Sequence, residues 1–263
     1  MIRLFSNAVR FFVIALAATV VLTVFFLFGS PNPAFSVFIV IAGVWVSWFG
    51  ALYIAVGANQ KLLAILYNEM RPDEFIERYT PLLSRCRKGS TWEAVLRAHI
   101  GNAYAAKGEF NGALEWFTGG SGTPVNLAMQ AQDRGGCDLW KGDLPAAERE
   151  IAALKGLLPQ IRNQHRRMEN ELACKLLEVR LRFREDGTLN EKDTAFLRQE
   201  SAVTNKPLHK AALRLELARV YLAQNQMYLA RDLLQNIVED GGDIWCRREA
   251  EAILSGLPER RPS

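Results

Sequence analysis

The residues able to carry chemistry are few and far apart. His99, His165 and His209 are scattered along the chain, and none belongs to a metal-binding pattern such as HExxH. Cys86, Cys137, Cys174 and Cys246 form no CxxC pair, and none has a histidine within a few residues. A zinc site brings its ligands in close pairs, so no metal ligand is assigned. Three of these cysteines fall in predicted helices, where a lone thiol packs as a small apolar side chain; all four are expected to be reduced and chemically idle. No GxSxG elbow and no GxxxxGK[ST] loop occurs. The glycine-rich stretch Gly119-Gly120-Ser121-Gly122-Thr123-Pro124 follows a helix rather than a strand and lacks the lysine of a phosphate loop, so it is expected to be a flexible connection. Glu169, Glu171 and Glu178 alternate with Arg166, Arg167, Lys175 and Arg180, a pattern that predicts helix-stabilising pairs on a solvated face. No catalytic residue and no cofactor is expected, and the chain is not expected to be an enzyme. Its net charge of +4, from 32 basic and 28 acidic residues, gives no clustered basic patch for nucleic acid.

The elements that would position a binding surface are easier to read. Between Arg10 and Lys61 there is no Asp, Glu, Lys, Arg or His, while the rest of the chain is densely charged with both signs. Two physical environments follow, and with them two units: a membrane anchor over 1–57 and a helical domain over 58–263. The apolar runs at about 10–29 and 34–57 each meet the roughly 20 residues that cross a bilayer as a helix, the second being long enough to tilt. Gly29-Ser30-Pro31-Asn32-Pro33 between them predicts a tight turn, and so a two-helix transmembrane hairpin. A cleaved signal peptide is the competing reading of the first run, but that run exceeds the usual apolar region of such a signal and a second follows at once. Arg3 and Arg10 precede the first run, Lys61 and Arg71 follow the second, and the loop is uncharged. Basic residues stay on the cytoplasmic side, so the expectation is an integral protein of the cell (inner) membrane with its N-terminus and helical domain in the cytoplasm. Gly43, Ser47, Ala51 and Ala55 recur every four residues and give the second span a small-residue face, while Ala15, Thr19 and Thr23 give a similar stripe on the first. Packing of the two spans on each other is the favoured use of that face; an oligomer through the spans is the other. No ionisable residue lies within either span, which argues against transport.

Beyond Gly57 the periodicity is helical. In Ala94–Phe117 (AVLRAHIGNAYAAKGEFNGALEWF), the residues Ile100-Gly101, Tyr104, Gly108, Ala113 and Phe117 stand out. Gly142-Asp143-Leu144-Pro145-Ala146-Ala147 repeats Gly108-Glu109-Phe110-Asn111-Gly112-Ala113 at a distance of 34 positions. Gly135 then matches Gly101, Ile151 matches Phe117, and Pro159 falls at the close of the unit. Leu217-Ala218, Tyr221, Asn225, Ala230 and Leu234 give a third match. This pattern closely resembles the tetratricopeptide repeat, a helix–turn–helix unit of 34 residues. The expected fold is therefore all-α, the transmembrane hairpin being followed by an α-solenoid of tetratricopeptide-like helix pairs. The distance from Gly142 to Asn225 exceeds two periods, which predicts a lengthened pair: a long helix over Arg162–Glu185, a stop at Asp186-Gly187 and a return over Glu191–Ala202. Asn59–Met70 with Pro72–Cys86 is expected to form a further pair, the second span running straight into its first helix. Ile244–Leu254 is expected to cap the array, ahead of a disordered tail.

In that family the first helix of each pair lines a concave surface that holds peptides or proteins. Carried over by position, the resemblance implies a groove lined by Val95, Ala98, Asn102, Ala105, Met129, Gln132, Gly136, Leu139, Trp140, Leu215, Arg219 and Leu222. Asn102 stands where the family often holds a ligand backbone. Ala98 stands where the branch that clamps a terminal carboxylate needs a lysine, so that ligand is not expected. The implied function is a membrane-anchored adaptor or scaffold presenting its groove to a cytoplasmic protein or peptide partner. The alternative is a permanent structural or assembly subunit of a larger membrane complex.

Overall fold

A computed structural model of the protein describes residues 10–21, 24, 33–119 and 122–258. The expected turn over 29–32, most of 22–29, Gly120-Ser121 and the tail 259–263 lie outside the described residues. Every regular element among the described residues is a helix. The chain divides into two compact units, Met1–Ala64 and Ile65–Ser263, and the division falls within one helix.

In the first unit, α1 (Arg10–Val21) lies antiparallel to the N-terminal part of α2 (Pro33–Tyr67). A Cβ placed on Gly43 would sit 2.3 Å from Thr19, and one on Gly50 2.4 Å from the Phe11 ring. The Phe12 ring meets Trp48 edge-on at 6.4 Å. Ser47 is buried and its hydroxyl donates to the Gly43 carbonyl at 2.7 Å, which spends the polar group inside the helix. Gly43 and Ser47 thus seat α1, Ala51 is half-buried, and the side chain of Ala55 lies outside the described residues. The remaining surface is apolar and open: Trp45, Val46, Trp48, Phe49, Leu52 and Tyr53 are all exposed. An exposed apolar face of that kind marks a surface for a protein or a membrane. One helix, Ile41–Tyr67, is long and apolar enough to cross a membrane, whereas the described part of the first run is a shorter apolar helix. The expected pair of spans therefore reduces, among the described residues, to one helix of spanning length.

The second unit holds α3 (Pro72–Leu83), α4 (Thr91–Lys107), α5 (Phe110–Trp116), α6 (Pro124–Lys141) and α7 (Leu144–Leu157). It continues with α8 (Gln164–Asp186), α9 (Glu191–Val203), α10 (Pro207–Ala223), α11 (Met227–Asp240) and α12 (Trp245–Gly256). The ends are set by local chemistry. Ser90, Thr123, Asp143, Asn163 and Asn190 each accept a hydrogen bond from a backbone N–H in the first turn of the following helix. Gly108, Gly142 and Gly187 close α4, α6 and α8 with φ of 84°, 80° and 71°, and Asn225 follows α10 at 57°. This is the left-handed conformation that glycine and asparagine tolerate best. The second apolar run continues straight into the helix expected from Asn59, which ends at Tyr67 rather than Met70. α2 carries on unbroken to Tyr67, and the chain then turns through Met70 at a φ of 53°.

Consecutive helices pack from α3 to α8 and from α9 to α12. The alternate helices α4, α6 and α8 also pack on one another, as do α10 and α12, and α12 returns to touch α4. Phe117 fills the space left by Gly101, where a Cβ would stand 2.4 Å from its ring. One core gathers Ala128, Ala131, Ala147, Ile151, Leu154 and Leu177 from α6, α7 and α8. Another gathers Val179, Phe183, Leu197, Leu217, Val220 and Ala230 from α8 to α11.

Candidate functional site

The residues assigned to the groove lie on α4, α6 and α10, and none of them is freely exposed. Ala98, Leu139 and Leu215 are buried, at 3%, 1% and 0% exposure, and point into the cores. Val95, Asn102, Ala105, Met129, Gln132, Gly136, Trp140, Arg219 and Leu222 are half-buried. Two clusters explain why.

The first surrounds Tyr67, the last residue of α2. Its hydroxyl accepts from Asn102 Nδ2 at 3.3 Å and lies 2.8 Å from His99 Nδ1. With one lone pair taken by Asn102, the phenol hydrogen is free to donate to a neutral imidazole. Burial, and secondarily the charge of Lys206, holds His99 at about 4, well below the usual histidine range, so the ring is neutral at physiological pH. His209 meets the Tyr67 ring edge-on at 5.3 Å, and the Lys206 ammonium stands 4.8 Å over its face. Asn102 is therefore already engaged within the chain. On α6, burial pushes the Asp133 carboxyl up to about 7 against the pull of Arg134, and its Oδ2 has no hydrogen-bond partner.

The second cluster surrounds Trp140. Trp245, at the start of α12, meets it edge-on at 4.5 Å and also meets Phe110 at 5.4 Å. The guanidinium groups of Arg180, Arg184 and Arg219 stand 4.8, 5.2 and 5.2 Å from the Trp140 ring centre. Glu216, only 1% exposed, balances two of them: Arg180 Nε donates at 3.0 Å and Arg184 Nη2 at 3.1 Å. Arg219 donates to Glu249 of α12 at 2.7 Å. Burial lowers the Arg184 pKa and Glu216 pulls it back. Asp243 N–H donates to the Met70 carbonyl at 3.0 Å, and Arg248 donates to the Lys107 carbonyl at 2.7 Å, which ties α12 across the face. What stays open between Asn102, Trp140, His209 and Trp245 is a cleft of about 110 Å³. Ligand pockets run to roughly 300–1,000 Å³. The implied groove is thus occupied by the chain's own Trp245 and Arg side chains.

Arg180 was expected on a solvated face beside Glu178. Instead its side chain is 11% exposed, and Glu178 pairs with Lys155 at 2.5 Å. Lys175 lies 4.0 Å over the Phe196 ring rather than against a glutamate. The sequence does carry a signal for the pair: Glu216 is the lone acid in an otherwise apolar helix face, and Arg180 and Arg184 are four apart on α8. A buried acid demands a partner. His165 is exposed and sits 3.2 Å from Glu169. Cys137, Cys174 and Cys246 are buried and Cys86 partly so, all as free thiols; burial pushes Cys137 and Cys246 up to about 12, which keeps them protonated. Among the described residues no group of three or more His, Cys, Asp or Glu could hold a metal ion. Comparison of the chain with protein-family models, with curated proteins and with solved structures gives no match.

Proposed function

We propose that the chain is a membrane-anchored scaffold of tetratricopeptide-like helix pairs that holds a protein partner at the cytoplasmic face. The observation that carries this reading is the joining of two surfaces in one chain. One is a helix whose apolar side chains are exposed over much of its length. The other is a unit of capped helix pairs in which Gly108 and Gly142, 34 positions apart, adopt the same left-handed turn. Helix pairs of this kind offer surface for proteins rather than a chemical centre. The contact of α1 with Gly43 and Gly50 supports a hairpin of two spans, and the basic residues at the ends of the spans away from the uncharged loop support a cytoplasmic second unit.

A second reading has its own support. Trp245 and the arginines surround Trp140, where the groove is expected, which favours a permanent subunit of a membrane complex over an adaptor that exchanges short peptides. Such a subunit would use outer residues such as Met168, Leu172 and Tyr228, which are 58%, 44% and 65% exposed. The test is purification of the tagged full chain from gently solubilised membranes, with mass spectrometry of what accompanies it. An adaptor exchanges its companion against an isotopically labelled pool, and a permanent subunit keeps it. A chain recovered without any stoichiometric companion contradicts both readings.

A further inference from the structure

A second cleft of the second unit lies away from the groove just described. It measures about 460 Å³, within the range of small-molecule pockets. Its apolar floor is Met70, Ala211 and Ile237, at 4%, 5% and 1% exposure. Its rim is polar. Asn68, Thr204, Asn205 and Lys210 line it, and none of these four side chains makes a hydrogen bond or ion pair among the described residues. The contrast with Asn163 and Asn190, which cap the helices that follow them, is direct: Asn205 stands just before α10 and caps nothing.

Charge completes the pattern. Lys206, Lys210 and Arg214 are four residues apart and share one face of α10. Lys206 is drawn onto the Tyr67 ring, and Arg214 Nη1 donates to Asp240 at 3.0 Å, which leaves its other N–H groups available. Lys210 has no acid to neutralise it. The cleft therefore carries one net positive charge and at least four side-chain donors without acceptors. A carboxylate offers two oxygens to such a set, whereas a phosphate ester offers three or four and is the better match for converging lysine, arginine and amide donors. Because the volume exceeds a bare ion and the floor is apolar, the ligand has a short organic body.

We propose that this cleft binds a phosphate ester with a short organic body, through Lys210 and Arg214 with Asn68, Thr204 and Asn205. The same headgroup chemistry is found in a free metabolite and in a phospholipid. The inference does not depend on the scaffold reading, since it needs only the second unit's own surface.

The test uses the full chain in nanodiscs of neutral phosphatidylcholine, titrated calorimetrically with sn-glycerol 3-phosphate. A second preparation replaces part of the lipid with phosphatidic acid, whose headgroup is the same phosphate monoester. Saturable heat in the first arm, weakened at least about tenfold by Lys210→Gln and by raised salt, establishes a soluble ligand. A lipid source is established if the phosphatidic acid discs instead raise the melting temperature of the native chain and not of the Lys210→Gln chain. Asn205→Ala, at an exposed loop position, weakens the same signal with the fold intact. The proposal is overturned if neither arm gives a saturable signal up to 10 mM glycerol phosphate (roughly the weak end of useful affinity), or if both variants bind within twofold of the native chain.

Discussion

At the scale of single residues, the second unit is organised around buried polar groups. Glu216 is the clearest case, because removing its charge strands Arg180 and Arg184 beside Trp140. Glu216→Gln should lower the unfolding free energy by about 3–5 kcal/mol in chemical denaturation of the detergent-solubilised chain. Glu251→Gln breaks only the exposed pair with Arg247 and should change it by less than about 1 kcal/mol. Equal effects would place Glu216 in solvent. His99 makes a pH prediction. Its folded value of about 4 lies below the ordinary 6.5, so the unfolded chain takes up a proton that the folded chain refuses. Stability is whole above pH 6.5 and falls as the pH drops from there towards 4. His99→Gln should flatten that limb of a melting-temperature profile, and an unchanged slope would contradict the buried, Tyr67-bonded imidazole.

At the scale of elements, the helix boundaries were legible because they are written locally. The long helix expected over Arg162–Glu185 is α8, its stop is Gly187, and the return is α9, each set by a cap a few residues away. The pairing of Gly101 with Phe117 was legible for the same reason, and it predicts opposite outcomes at two glycines. Gly101→Val forces the Phe117 ring aside and should cost about 1–3 kcal/mol. Gly156 has no atom within 4 Å of a Cβ, so Gly156→Ala in α7 should stabilise by up to about 1 kcal/mol. Both are read from thermal melts. The return of α12 was not legible. Arg248 meets a carbonyl 141 residues away, and nothing near Trp245 in sequence announces Trp140 or Phe110. Gly242 marks the latch, since a Cβ there would stand 2.6 Å from the Met70 carbonyl oxygen. Gly242→Ala should therefore raise hydrogen exchange in α12 with little change in α6 and α7, and protection lost uniformly would argue against a local latch.

At the scale of the whole molecule, composition was the strongest guide. A block of fifty positions without a charge, Phe11 to Gln60, predicts an apolar anchor, and the structure supplies a helix with exposed Trp45, Trp48 and Leu52 in that block. The candidate groove was the least legible part. Position alone assigned Asn102 and Trp140 to a ligand, while their occupants are Tyr67 and Trp245, brought in from other elements by long-range packing. A local sequence pattern carries no information about which distant side chain packs against it. The exposed apolar helix of the first unit is proposed to hold the chain in a membrane. Its direct test is alkaline carbonate extraction of native membranes holding the full chain, beside a chain lacking residues 1–57. The full chain is predicted to stay with the membrane pellet and the shortened chain to move to the supernatant; release of the full chain into the supernatant would contradict a membrane anchor in residues 1–57.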